Sequence, residues 1–69
     1  MKVVRRSTPQ RAEALEPAVA TVISINGPVV SAVGAERLGM LELVEVGNQR
    51  LLGEVIRLEG GQATVQVYE

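Results

Sequence analysis

Leu51-Leu52-Gly53-Glu54-Val55-Ile56-Arg57-Leu58-Glu59-Gly60-Gly61-Gln62-Ala63-Thr64-Val65-Gln66-Val67-Tyr68 is the stretch that decides the fold. Ala63, Val65 and Val67 alternate with Gln62, Thr64, Gln66 and Tyr68. That period of two is a strand with one apolar face, because successive side chains point to opposite sides of a sheet. Gly60-Gly61 before it is a two-residue hairpin signal, since both positions can take the left-handed conformations that primed turns require. Residues 51–58 are then the partner strand, with Leu52, Ile56 and Leu58 on one face and Glu54 among them. Two readings of Glu54 stand side by side. A bulge near Gly53 turns it outward, or it is a partly buried carboxylate paired with Arg57, Arg50 or a neighbouring chain.

Working outward, Gly47-Asn48 turns the chain back into a strand over residues 40–46, with Glu42 facing away from Leu41 and Leu43. Before it, residues 34–39 read as a loop in which Ala35-Glu36-Arg37 can make one helical turn. Residues 29–33 are a short strand, and Asn26-Gly27-Pro28 is a strong turn signal. Val19, Thr21, Ile23 and Ile25 alternate with Ala18, Ala20, Val22 and Ser24 in the first strand. Short strands at this spacing predict an all-β domain over residues 18–69, a small closed or nearly closed barrel of five to six strands. Residues 1–17 are polar, lack alternation and contain Pro9 and Pro17. They are expected to form a flexible leader, with a single helical turn available at residues 11–15.

Composition narrows the function. The chain has 69 residues and no Cys or His, so the commonest general base and the thiolate and imidazole metal ligands are missing. Its only Lys is Lys2 and it has no Asp; no G-x-x-x-x-G-K-[ST] phosphate loop occurs. Ser7, Ser24 and Ser31 have no His to activate them. No catalytic, cofactor-binding or metal site is therefore expected. A formal net charge of −1 and one aromatic, Tyr68, supply neither the field nor the stacking surface of a nucleic-acid binder. Lys2, Arg5, Arg6 and Arg11 are spread along the leader close to Glu13 and Glu16, a solvated tail. No run of about 18 apolar residues predicts a membrane span, and Arg5-Arg6 lacks the apolar run of an export signal. The expected setting is cytoplasmic.

At this point a resemblance emerges. Residues 51–60 followed by Ala63-Thr64-Val65-Gln66-Val67-Tyr68-Glu69 resemble the N-terminal domain of the catalytic A subunit of vacuolar/archaeal-type (V/A-type) rotary ATPases. Ile25-Asn26-Gly27-Pro28-Val29-Val30 and Met40-Leu41-Glu42-Leu43-Val44-Glu45-Val46-Gly47 resemble two further phrases of that domain, in the same order. Gln66-Val67-Tyr68-Glu69 is closer to the catalytic type than to the non-catalytic B subunit. The resemblance covers residues 18–69, about three quarters of the chain. It implies a β-barrel at the head of each catalytic polypeptide, joined with its neighbours into a ring of alternating A and B subunits. Nucleotide is held by a following domain, so the family's catalytic residues have no positions here.

Two departures carry expectations of their own. Leu41 stands where the family has Tyr, which removes a ring from the barrel's packing. The family continues past the position of Glu69 into a last strand, so the edges of the first and fifth strands are expected to lack a partner. Such edges invite self-association with another copy. The expected partners are neighbouring A and B subunits, or this self-association; neither nucleic acid nor direct membrane insertion is expected. Glu42, Glu45, Arg50, Arg57 and Glu59 are the candidate subunit-contact residues, mixed in sign and suited to setting register between neighbours. The alternative is a free-standing or engineered binding module on an SH3-like or OB-like barrel. Arg37, Arg50 and Arg57 with one Tyr are thin support for it.

Overall fold

A computed structural model describes residues 1–6 and 18–68. Six strands, β1 (Lys2–Arg5), β2 (Ala18–Asn26), β3 (Val29–Val33), β4 (Leu43–Val46), β5 (Leu51–Glu59) and β6 (Gln62–Val67), close into a barrel in the order β1-β2-β3-β6-β5-β4. Every neighbouring pair is antiparallel. The hairpin at Gly60-Gly61 is present: Glu59 lies opposite Gln62, and Gly60 and Gly61 take φ of 56° and 78°. The β2–β3 hairpin turns through Gly27 at φ 62°, with Asn26 opposite Val29.

β1 corrects two expectations. Its residues fall in the stretch expected to be a leader, yet Val3 is completely buried, with Ala20 opposite it on β2 and Val46 opposite it on β4. The remaining leader residues 7–17, including the suggested helical turn, lie outside the described residues. The edges expected to be open are paired, in full for β6 between β3 and β5, and for β2 along β3 and, over its first residues, along β1. Self-association through an open edge of the fifth strand, now β6, thus loses its basis. Four residues suffice because Val3 fills the core while further backbone bonds tie the strand at both ends. The Val22 N–H donates to the Met1 carbonyl at 2.8 Å, and the Arg6 N–H to the Leu43 carbonyl at 3.3 Å.

The interior is narrow and filled by small aliphatics. Val3, Val44, Val55 and Val65 are fully buried, Ala32 and Ala63 beside them, with Leu51, Leu58 and Val22 packed around. No charged or polar side chain is buried among the described residues. β5 settles the Glu54 question differently from either reading. Gly53 and Val55 face inward, so Glu54 turns outward by simple alternation. The irregularity lies between Val55 and Arg57, and it flips the face of the strand so that Leu58 reaches the core. Gly53 is inward because nothing larger fits: a Cβ there would sit 2.7 Å from Val65 Cγ1 and 3.0 Å from the Gln66 carbonyl oxygen.

The strand expected over residues 40–46 begins only at Leu43. Leu41 adopts φ 65°, a left-handed conformation that takes it off the ladder. Its N–H donates to the Val55 carbonyl at 2.7 Å. The helical turn expected at residues 35–37 is instead a β-turn closed by the Leu38 N–H on the Ala35 carbonyl at 3.1 Å. Ala35 and Leu38 are buried, and the Ala35 N–H donates to the Gly61 carbonyl at 2.8 Å. This loop caps the barrel end beside the β5–β6 hairpin.

Candidate functional site

The charged residues singled out in the sequence all lie between Glu42, just before β4, and Glu59 at the end of β5. The structure distributes them over three ion pairs instead of gathering them into one cluster. Glu42 precedes β4 and is half-buried. Its Oε2 accepts from Arg5 Nε of β1, while Arg5 Nη2 donates to the Arg37 carbonyl. Its Oε1 accepts from the Gly39 N–H at 2.9 Å. Arg5 and Glu42 together clasp the capping loop to the closing strand.

Glu45 on β4 meets Arg50 at 3.3 Å across the β4–β5 turn. That turn is closed by the Arg50 N–H on the Gly47 carbonyl at 3.1 Å, and Arg50 itself takes φ 56°. Arg57 and Glu59, 3.5 Å apart on β5, both point outward, their side chains 70% and 76% exposed. Thr64 and Gln62 lie opposite them on β6, and the four line a shallow polar depression. Pairs this exposed contribute little to folding, about 0–1 kcal/mol.

Two further residues take part that sequence reasoning misses. Arg5 falls in the expected leader; its signal is the β-favouring Val3-Val4 beside it. The Tyr68 hydroxyl donates to Glu54 Oε1. That hydrogen bond, reinforced by partial desolvation and the carboxylate charge, raises the phenol above its usual 10.0. The partner of Glu54 is thus a phenol, not Arg57 or Arg50.

None of these groups forms a nucleophile–base pair, and among the described residues no three His, Cys, Asp or Glu side chains gather as metal ligands. Among the same residues no helix is long and apolar enough to cross a membrane. What the surface offers is contact: ion pairs along β4 and β5 on one side, and Ile23 and Ile25 exposed on β2 on another.

Residues 22–69, from mid-β2 through β6, match the β-barrel domain of the ATP synthase alpha/beta family. The chain belongs to this family. Within it, this barrel domain is 60% identical over 45 residues to the catalytic A subunit of the V-type proton ATPase of Cyanidium caldarium, covering 65% of the chain and 8% of that protein. It is 49% identical over 55 residues to the V-type ATP synthase alpha chain 2 of Clostridium tetani, covering 80% and 9%. To the A subunit of the A-type ATP synthase of Sulfolobus acidocaldarius it is 52% identical over 48 residues, covering 70% and 8%. The barrel domain thus spans less than a tenth of the length of these relatives.

Proposed function

We propose that this chain is the N-terminal barrel of the catalytic A subunit of a V/A-type, proton- or sodium-translocating rotary ATPase, and that its work is assembly. The observation that carries this reading is a closed barrel whose residues 22–69 match the family's barrel domain, with 60% and 52% identity to polypeptides that bear the A designation. On this reading the barrels of alternating A and B subunits join side by side in a ring at the cytoplasmic head, peripheral to the membrane. ATP is bound and hydrolysed by a separate nucleotide-binding domain, and this chain alone turns over none.

Arg50, Arg57 and Glu59 are the contact residues free to reach a neighbour, with Glu45 acting through Arg50. Glu42 acts mainly within the barrel by holding Arg5. Exposed charges of mixed sign set register and discourage wrong pairings more than they add affinity. The test uses two proteins. The purified 69-residue chain is expected to show no ATP turnover, and the complete gene product lacking residues 1–69 is expected not to assemble a head with its B subunit. Turnover by the chain, or assembly without the barrel, contradicts the proposal.

A further inference from the structure

Asn26-Gly27 is the one place in the chain where an Asn precedes a Gly; the other Asn, Asn48, precedes Gln49. The pair sits at the tip of the β2–β3 hairpin. Asn26 ends the ladder opposite Val29, and Gly27-Pro28 form the two-residue loop. Gly27 has φ 62°, and the ring of Pro28 fixes its own φ at about −65°. A positive value followed by a negative one is the type II′ turn, since type I′ needs both positive.

In that turn the backbones of Asn26 and Val29 bond to each other, and the Gly27 N–H points away from the ladder. No backbone acceptor among the described residues takes it. The Asn26 side chain is exposed, and no side-chain hydrogen bond among the described residues holds its amide. A Cβ built on Gly27 would meet nothing within 4 Å, so that side of the loop is open.

These are the conditions for attack within the chain. The electrophile is Asn26 Cγ, an amide carbon with no partner to restrain it. The nucleophile is the nitrogen of the next residue, which proximity brings to it and which no side chain shields. Ring closure requires ψ of Asn26 to swing out of the extended range, which opens the Asn26–Val29 pair. That pair is the last of its ladder, where local opening costs least. The far side of the loop stays fixed, with Val29 opposite Gln66 on β6 and the Val67 N–H on the Pro28 carbonyl at 2.8 Å. All reacting atoms belong to residues 26 and 27, so the step needs no enzyme, no partner chain and no free strand edge.

We propose that Asn26 is a site of spontaneous covalent modification by way of a cyclic imide. The Gly27 nitrogen gives up its proton to solvent base and attacks Asn26 Cγ. The N–Cγ bond forms, the Cγ–Nδ2 bond breaks, and ammonia leaves with a proton from water. A second water molecule then opens the imide at either carbonyl, leaving aspartate or isoaspartate at position 26. Nothing is oxidised or reduced; ammonia goes out and water comes in.

Either product puts a carboxylate into the stretch from Pro17 to Ala35, which holds no charged residue, and makes the formal net charge more negative than its present −1. Isoaspartate also adds a backbone carbon opposite Val29, so the hairpin tip loses its register. The change runs one way and marks the age of a copy. It goes beyond the assembly reading and does not depend on it.

The test ages the complete gene product in mildly alkaline buffer, with an unaged sample as zero. Peptides carrying Asn26 and Asn48 are followed by mass spectrometry with fragmentation that separates isoaspartate from aspartate. Asn26 is expected to convert about tenfold faster than Asn48 or more, because the side chain of Gln49 shields its nitrogen and stiffens its backbone. Isoaspartate is expected among the products at position 26. Asn26→Gln keeps an exposed amide but needs a larger, slower ring, and should remove the acidic form seen on ion exchange. Conversion of Asn26 no faster than Asn48, or aspartate without isoaspartate, overturns the proposal. So does an acidic form that persists undiminished in Asn26→Gln.

Discussion

Gly53→Ala probes the tightest point of the barrel. Replacing Gly by Ala inside a strand ordinarily stabilises by about 0.5–1 kcal/mol, because the unfolded chain loses freedom. Here the sign reverses. Gly53 does not use a left-handed φ, so an added methyl is free of backbone strain and meets only sterics. Its Cβ would stand 2.7 Å from Val65 Cγ1 and 3.0 Å from the Gln66 carbonyl oxygen, and Val65 is fully buried. Overpacking of this kind costs about 1–3 kcal/mol, which in a domain of this size lowers Tm by roughly 5–20 °C. Thermal unfolding of the purified chain followed by circular dichroism reads it. The Val65→Ala background provides the control. That change alone costs about 2 kcal/mol from lost burial and a cavity, but it removes Cγ1, so adding Gly53→Ala to it should cost less than half of what it costs in the wild type. An unchanged or raised Tm for Gly53→Ala, or full additivity in the double variant, refutes the packing argument.

Three further outcomes are expected. Val3→Ala should cost about 2–3 kcal/mol, since it empties a fully buried site on the closing strand; a melting temperature equal to wild type would mean that β1 does not close the barrel. Arg57→Glu breaks a pair that is 70% and 76% exposed. It should cost the isolated domain no more than about 1 kcal/mol while weakening head assembly about tenfold, and equal effects on both would contradict a contact role. Tyr68, the sole aromatic, can be titrated by phenolate absorbance without interference. Its midpoint should lie above 10.0 and fall back toward it in Glu54→Gln, because the hydrogen bond to Glu54 is the main cause of the shift. A phenol raised in the folded state adds stability below its unfolded value and loses it as pH climbs through the folded one. Stability from this pair should thus fade only above about pH 10, and no difference between the two titrations would refute the contact.

Much of the fold is legible in the sequence because its signals are local. Gly60-Gly61 and Gly27 announce their turns through conformations that few other residues adopt, and the alternation of Ala63, Val65 and Val67 marks the inner face directly. What escapes depends on contacts distant in sequence. Lys2–Arg5 is too short to show a period and is followed by no turn signal; only β2 and β4, one on each side, make it a strand. Leu41 at φ 65° ends the expected strand early for reasons set by the Val55 carbonyl it reaches, not by its own side chain. Glu45 lies on β4 as alternation places it, Arg57 and Glu59 turn outward on β5 only through the shift between Val55 and Arg57, and Glu42 and Arg50 lie just outside these strands. Their pairings are not legible, because Glu42 finds Arg5 37 positions away, and Glu54 finds Tyr68 only once the β5–β6 register is known.

The central claim is that these residues serve as the assembly barrel of the catalytic polypeptide of a rotary ATPase. Its most direct test is to recover the native polypeptide from its source with an antibody raised against residues 55–69 and to determine its mass and companions. The expected result is a polypeptide several times longer than 69 residues, travelling with a B subunit in one complex. A polypeptide of this length alone, free of such companions, would contradict the assembly role and leave the family relationship as common ancestry.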